Sequence, residues 1–345
     1  EGYQESYQII EVTPGKEKEM ARAYRQRPEV VHAEPNYYRF TSSIPNDEFY
    51  YLQWNFPLIN LEQAWDVSAG NGVTVAVVDT GINPFGFDRF GNRLLPGYNA
   101  ILGIPGGIDF NNHGTHVAGT VGQQTNNSIG VAGIAYEANI LPVKVMVFLG
   151  FGLDSWIING IRWATDNGAD IINLSLGGSY PSQVFEDTLA YAHEKGVTIV
   201  AAAGNDGENG VEYPAASEYC IAVGAVRYDK SRTYYSNYGD ALDLVAPGGD
   251  RHEDQNGDGK DDGILQETFW FLGLGWDYRY FTGTSMASPH VAGVAALVKS
   301  LHPEPEYGPD EILQALQDTA EDLGSPGWDE EYGYGLVDAE AAVSH

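Results

Sequence analysis

A single cysteine in 345 residues, Cys220, excludes an internal disulfide framework. It stands in the apolar stretch YCIAVGAV, where a small buried hydrophobe is expected rather than a reactive thiol. No run of about 18 apolar residues occurs, so no membrane-spanning helix is expected. Basic residues are scarce: 18 Lys and Arg stand against 48 Asp and Glu, for a formal charge of −30. A field of that sign repels nucleic acid and acidic membrane surfaces alike, so neither is expected as a partner. It suits a secreted, extracellular protein that binds cations or works in salt. The chain opens EGYQESYQII, with no methionine and no basic-then-apolar leader. An upstream piece is therefore expected to be absent or removed. Internal repeats and low-complexity tracts are also missing.

What is there falls into two parts. Residues 6–40 read as strand–helix–strand: YQIIEV, then PGKEKEMARAYRQRPE with a charged face, then VVHAEPNYYRF. A turn-rich connector, TSSIPNDEF, follows, which sets the expected domains at 1–43 and 44–345. Beyond it, β-branched runs alternate with helical ones. GVTVAVVD, NILPVKVM, ADIINLSL, GVTIVAAAG and CIAVGAV read as strands, separated by helices such as GTHVAGTVGQ, SWIINGIRWATDNG and VFEDTLAYAHEKG. That pattern predicts an α/β fold, a doubly wound and mostly parallel sheet with helices on both faces. In such sheets sites gather at the carboxyl ends of the strands. The acidic, glycine-rich 248–263 is expected to be a loop.

Three strand ends and one turn carry candidate chemistry. VTVAVVDTGI ends a strand on Asp79, whose charge needs a partner if buried; alone it reads first as a cap on the following turn. NNHGTHVAGTV places His113 at the start of a small-residue helix. A surface histidine, or zinc held by His113 and His116, is the alternative, though no HExxH motif accompanies the pair. IVAAAGNDG ends on Gly204 and Asn205, which alone is a simple turn. FTGTSMASPHVAG sets Ser285 behind Gly283, at the expected N-terminus of an Ala/Gly-rich helix whose Pro289 suits a first turn. Alone, Ser285 reads equally as an N-cap. Together these are the parts for acyl transfer: a serine nucleophile, an imidazole base, a carboxylate that orients it and an amide for the oxyanion.

The segments VAVVDTGI, HGTHVAGTV, INLSLGG, AAAGN and GTSMASPHVAG, with SWIINGI, LVAPGG and YGYGLVDAEAAV, resemble the signature segments of the subtilisin-like serine proteases, the subtilases. They occur in the family's order from about residue 45 to the end. The resemblance implies a secreted serine endopeptidase in which Ser285 is the nucleophile, His113 rather than His116 the base, Asp79 its orienting carboxylate and Asn205 the oxyanion donor. It implies broad specificity for protein and peptide substrates, whose backbone pairs between SLGG (Ser175, Leu176, Gly177) and GFG (Gly150, Gly152). The primary pocket is then walled by Ala203 and Gly204, with Glu212 at its far end and Asp206 at the rim. There Glu212 either receives a substrate lysine or arginine or turns out to solvent, and a plain apolar preference is the expectation. The front segment resembles the second half of the family's propeptide, a chaperone and inhibitor, so the chain's own first segment is an expected partner. A monomer is expected.

The resemblance also implies calcium as the cofactor. The loop QTNNSIGV matches the family's calcium loop, with Asn127 as side-chain ligand, carbonyls from Thr125, Ile129 and Val131, and carboxylates from Asp47 and Asp88. A second calcium is expected in DQNGDGKDD, where Asp254, Asn256, Asp258 and Gly259 repeat the start of a calcium loop. Leu265 stands where the closing glutamate belongs, so Asp262 is expected to close the shell. Two rival functions use similar parts. An α/β-hydrolase esterase needs G-x-S-x-G with the serine first, whereas here the serine comes last in GTSMA. Against a binding protein or inert zymogen on the same fold stands the presence of all four chemical residues, while the sequence leaves permanent inhibition open.

Overall fold

The computed structural model describes residues 9–10, 12–13, 16–34, 44–270, 274–304 and 307–345. The chain divides into two compact units, residues 1–42 and 43–345. In the first, helix α1 (Glu17–Arg25) forms where expected, with Arg22 and Arg25 in its last turn, where positive charge suits the helix dipole. Half of the first expected strand and more than half of the second lie outside the described residues; the described parts, Ile9, Ile10, Val12 and Val30–Glu34, form no strand among the described residues.

The second unit begins with two short helices, α2 (Asn55–Leu58) and α3 (Leu61–Ala64). Eight strands then build one sheet: β1 (Thr74–Asp79), β2 (Tyr98–Asn99), β3 (Ile104–Pro105), β4 (Asn139–Lys144), β5 (Ile171–Leu174), β6 (Thr198–Ala202), β7 (Cys220–Val226) and β8 (Leu244–Pro247). Their order is β3-β2-β4-β1-β5-β6-β7-β8. All neighbours are parallel except β2 and β3. Helices α4 (His113–Gly122) and α7 (Thr284–Leu301) pack with the core on one face, and α5 (Asp154–Asp166) and α6 (Gln183–Glu194) with that on the other. The alternation of β1 explains the two cores: Val75 and Val77 enter the first, Ala76 and Val78 the second. Every residue of β1 is buried, as its unbroken β-branched run requires. Helices α8 (Pro309–Thr319) and α9 (Ala339–Val343) close the chain.

Two features depart from the expected pattern. An antiparallel hairpin, β9 (Ile264–Trp270) and β10 (Leu274–Phe281), follows the acidic loop and leads directly into α7. Pro289 also lies deeper than a first turn, because α7 already begins at Thr284. Its missing N–H frees the carbonyl of Ser285, which accepts the Ser175 hydroxyl at 2.7 Å instead. Proline thus ties the turn that bears Ser285 to the segment after β5.

Candidate active site

Asp79 ends β1 with no exposed surface. Its carboxylate accepts the Thr80 N–H at 2.6 Å and faces His113 Nδ1 at 2.9 and 3.0 Å. A carboxylate only accepts, so Nδ1 carries the proton and Nε2 is left as the basic nitrogen. His113 reaches this position because α4 starts hard against the end of β1. A Cβ on Gly114 would stand 2.3 Å from the Gly81 carbonyl oxygen, so only glycine allows the approach. Thr80 Oγ1 accepts the Gly114 N–H at 2.9 Å.

Asp109, which belongs to none of the motif segments, fixes the same helix end. It is fully buried and accepts the N–H groups of Asn111 (2.8 Å), Asn112 (3.2 Å) and Thr115 (3.1 Å), plus the Thr115 hydroxyl at 2.7 Å. An aspartate just ahead of an expected helix was the available signal. Lys144, paired in register with Asp79, buries its ammonium against the carbonyls of Thr80 and Met146. Burial works to lower the His113 pKa, but the Asp79 charge and hydrogen bond, helped by Asp109, outweigh it and hold the imidazole above its ordinary value.

Ser285 occupies the first turn of α7, behind Gly283 at φ 146°. Its hydroxyl donates to the Ser175 carbonyl at 3.3 Å rather than to His113. Both side chains line one cleft of about 490 Å³, together with Asn111, Gly150, Gly152 and Ser175–Gly178. Nucleophile–base bonds are commonly loose without substrate. Asn205 Oδ1 accepts the Thr284 N–H at 2.9 Å and its hydroxyl at 3.1 Å. A backbone N–H can only donate, so this contact fixes the amide's orientation and turns its NH2 away from Thr284 as a donor.

His116 does not join His113 in a metal site. Its Nε2–H donates to the carbonyls of Ile264 (2.9 Å) and Arg279 (3.1 Å), and its ring stacks on Phe281 at 4.3 Å. Burial lowers its pKa to about 3, so it is a neutral core residue. Cys220 is likewise buried, its thiol pushed well above the ordinary value by desolvation.

Gly150, Gly152, Ser175, Leu176 and Gly177 all line the cleft, as expected of its two edges. Glu212 is half-buried rather than fully turned out to solvent. Its N–H meets the Ala203 carbonyl at 2.9 Å, and its side chain lies across Gly177 and Gly204. A Cβ on those glycines would stand 2.4 Å from Glu212 Oε2 and 2.8 Å from its Cγ. Desolvation first, then the charge and hydrogen bond of Asp206, raise the Glu212 pKa. Glu212, Ala203 and Gly204 are not among the residues that line the cleft, although Gly177, across which the Glu212 side chain lies, is.

The residues expected to hold calcium in the connector and loop are brought together. Asp47 and Asp88 are 5% and 2% exposed. Asp47 accepts the N–H of Asn126 at 2.8 Å; Asp88 accepts that of Val131 at 3.0 Å and the Asn127 amide at 2.8 Å. Thr125 and Ile129 belong to the same loop, Ile129 donating to Asn127 Oδ1 at 2.7 Å. Burial raises both acids, Asp88 to about 6, and Asp47 adds to the rise at Asp88. Two acids buried together fit a cation bound through carboxylate and carbonyl oxygens. In the acidic loop, Asp254 accepts the N–H groups of Gly257, Asp258 and Gly259, and Asn256 that of Asp258. Asp262 is 1% exposed, with Oδ1 unpartnered. Among the described residues no three acidic, histidine or cysteine side chains come together as a metal cage, in this loop or around Asp47 and Asp88.

Comparison with known proteins decides the family. Residues 70–335 match the model of the subtilase family, Peptidase S8. The chain is a subtilase. It is 38% identical over 336 residues to a thermophilic serine proteinase from a Bacillus species, covering 96% of this chain and 77% of that protein. It is 42% identical over 274 residues to subtilisin Savinase from Lederbergia lenta, covering 79% and 91%. Among solved structures, a protease from Pseudoalteromonas arctica superposes with a TM-score of 0.78 at 37% identity, over 88% of this chain and 99% of that one. Fervidolysin from Fervidobacterium pennivorans, a keratinolytic enzyme, gives 0.76 at 31%, over 87% and 46%. The mostly parallel sheet is the subtilisin-like fold, and this subtilase is a serine endopeptidase.

Proposed function

We propose that the endopeptidase works through Asp79, His113 and Ser285, with Asn205 as oxyanion donor. The observation that carries this reading is the His113 Nδ1 contact to buried Asp79 at 2.9 Å, in a helix end whose imidazole shares a cleft with Ser285. A substrate strand lies between residues 150–152 and 175–177 by backbone pairing, which gives affinity without sequence preference. His113 Nε2 takes the Ser285 proton as Oγ attacks the scissile carbonyl. The Asn205 amide stabilises the oxyanion, and His113 then returns the proton to the leaving amine. Water repeats the sequence on the acyl-enzyme. A serine-directed phosphonyl reagent should abolish casein hydrolysis and add its mass to the peptide bearing Ser285. Inactivation by a thiol reagent or by zinc chelation, with phosphonylation harmless, would overturn the assignment.

Because neutral His113 is the base, kcat/KM should rise as pH passes upward through its pKa, with the limb above the ordinary imidazole value of about 6.5. Removing the Asp79 charge in Asp79→Asn should move that limb to lower pH as well as slow the reaction. A wild-type limb below 6.5 would contradict the raised imidazole.

Calcium is proposed at Asp47, Asp88, Asn127 and the carbonyls of Thr125, Ile129 and Val131. A second ion is proposed at 254–262, where Asp262 keeps a free oxygen. Native mass measurement should count two calcium ions, and one fewer in Asp258→Ala. An unchanged count would remove the second site. Residues 1–43 are proposed as a partial propeptide-like segment, and the mature protein as a secreted monomer.

For selectivity, the half-buried Glu212, whose side chain lies across Gly177 of the cleft wall, supports acceptance of lysine and arginine beside large apolar side chains. Peptide-library profiling should show cleavage after basic residues that falls several-fold in Glu212→Ser. Negligible basic cleavage in the wild type, or none lost in the variant, would take Glu212 out of the pocket's chemistry.

A further inference from the structure

Three segments of this strongly acidic chain carry no Asp, Glu, Lys or Arg: residues 80–87, 94–108 and 145–153. Residues 110–136, 171–185 and 280–298 are uncharged as well, but these include the largely buried helices α4 and α7, whereas the three named segments carry many of the exposed large apolar side chains. The three are not scattered over the surface. Ile82 N–H meets the Gly107 carbonyl at 2.8 Å, and Ala100 N–H meets that of Lys144 at 2.9 Å, at the root of the third segment. Asn111 Nδ2, in the cleft lining, donates to the Phe148 carbonyl at 2.8 Å. All three therefore meet around the helix end that bears His113. Their large apolar side chains point to water: Phe85 and Phe87 are each 67% exposed, Leu102 66% and Leu149 65%, with Ile108 and Phe148 above 40%. Single exposed apolar residues are ordinary, but a stitched, charge-free group of them marks a binding surface.

We propose that these loops form an apolar belt that holds a polypeptide substrate beyond the residues being cut, and that it favours proteins rich in exposed apolar side chains, such as fibrous or denatured chains. The belt has this role only if the cleft is the endopeptidase site proposed for it. Continuity argues for a polypeptide occupant, because the third segment also supplies Gly150, Phe151 and Gly152 to the cleft wall. Charge argues against the other occupants. A second copy bearing the same −30 is repelled at long range, and so is an anionic lipid surface. An uncharged, apolar stretch of substrate meets no such barrier. Anchored at the belt, it raises the local concentration of its cleavable bonds at the cleft.

The test uses the full chain carrying Ser285→Ala, so that nothing is digested while binding is measured. Adsorption to insoluble elastin fibres should fall about tenfold or more in Phe85→Ser/Phe87→Ser, since covering part of a phenyl ring is enough for that change. Adsorption to beads carrying succinylated casein should stay unchanged. In the Ser285 enzyme the same pair should leave kcat/KM for a tetrapeptide anilide within about twofold. A separate pair, Ile108→Ser/Leu149→Ser, should reproduce the loss on elastin, and unchanged melting curves exclude a folding effect. Unchanged elastin binding, or an equal fall on both solids, would overturn the proposal. So would a sedimenting dimer dissolved by the first pair, or competition by neutral lipid vesicles, which would give the belt to another occupant. Adsorption does not depend on catalysis, so failure of the wild type to cut the anilide would count against the triad alone.

Discussion

Ser285→Ala is expected to lower kcat by on the order of 10⁶, the loss that the same change causes in its relative subtilisin. Without the hydroxyl no acyl-enzyme forms, and what survives is the background rate given by the oxyanion donors and substrate positioning. His113→Ala should cost a similar amount, because serine and base act as one unit, and the double variant should be little worse than either alone. Asn205→Leu should cost less, on the order of 10²–10³ in kcat, with KM little changed, since its amide meets a charge that exists only in the transition state. The informative result is the non-additivity. If the Ser285 and His113 losses multiplied, the two residues would be acting independently, and the proposed proton transfer between them would be wrong. Asp109→Asn gives a further check on the site's support. It loses the charge that helps to raise His113 and weakens four contacts at the start of α4. A lower pH limb and a loss of kcat, with substrate affinity kept, are therefore expected.

Removing calcium with a strong chelator should lower the melting temperature by about 10 °C. The figure follows from a site holding calcium at a thousand times its Kd, which stabilises the fold by about 4 kcal/mol. A domain of this size shifts by roughly 2–4 °C for each kcal/mol. The physical cause is local. Asp88 is buried close enough to Asp47 for that charge to raise its pKa, and without a cation the repulsion works against the loop 125–131 and the connector beside it. Asp88→Asn should therefore remove most of the chelator's effect while destabilising the calcium-bound protein. Differential scanning calorimetry with and without chelator measures both. A melting temperature indifferent to the chelator would remove calcium from this site.

The triad candidates were legible because each belongs to a short segment whose local geometry follows from its own residues. Asp79 closes a fully buried β-branched strand, Ser285 follows a glycine that only a tight turn needs, and His113 opens a helix of small residues. The parallel sheet was legible for the same reason, since unbroken apolar runs separated by helical ones leave few other folds. Other features were beyond the sequence. Pro289 reads as a first-turn proline until the start of α7 is known, and only then does the Ser285 carbonyl prove free for Ser175. The hairpin β9–β10 was hidden because LQETFW and WDYRYF mix charged and aromatic residues, and their pairing is settled by contact with each other.

Residue identity and nearest-neighbour geometry were enough for the sequence to determine the sheet and the family, and to mark the candidate residues. Only the tertiary structure decided which imidazole faces a carboxylate. His113 and His116 are three residues apart on one helix, yet one meets Asp79 and the other two backbone carbonyls. The same holds for Glu212, free to face water in the sequence but half-buried across Gly177 and Gly204. It holds also for the three uncharged segments, joined by single hydrogen bonds across long stretches of chain. A side chain's charge state and exposure depend on what other segments place around it, and that is fixed only when the chain has packed.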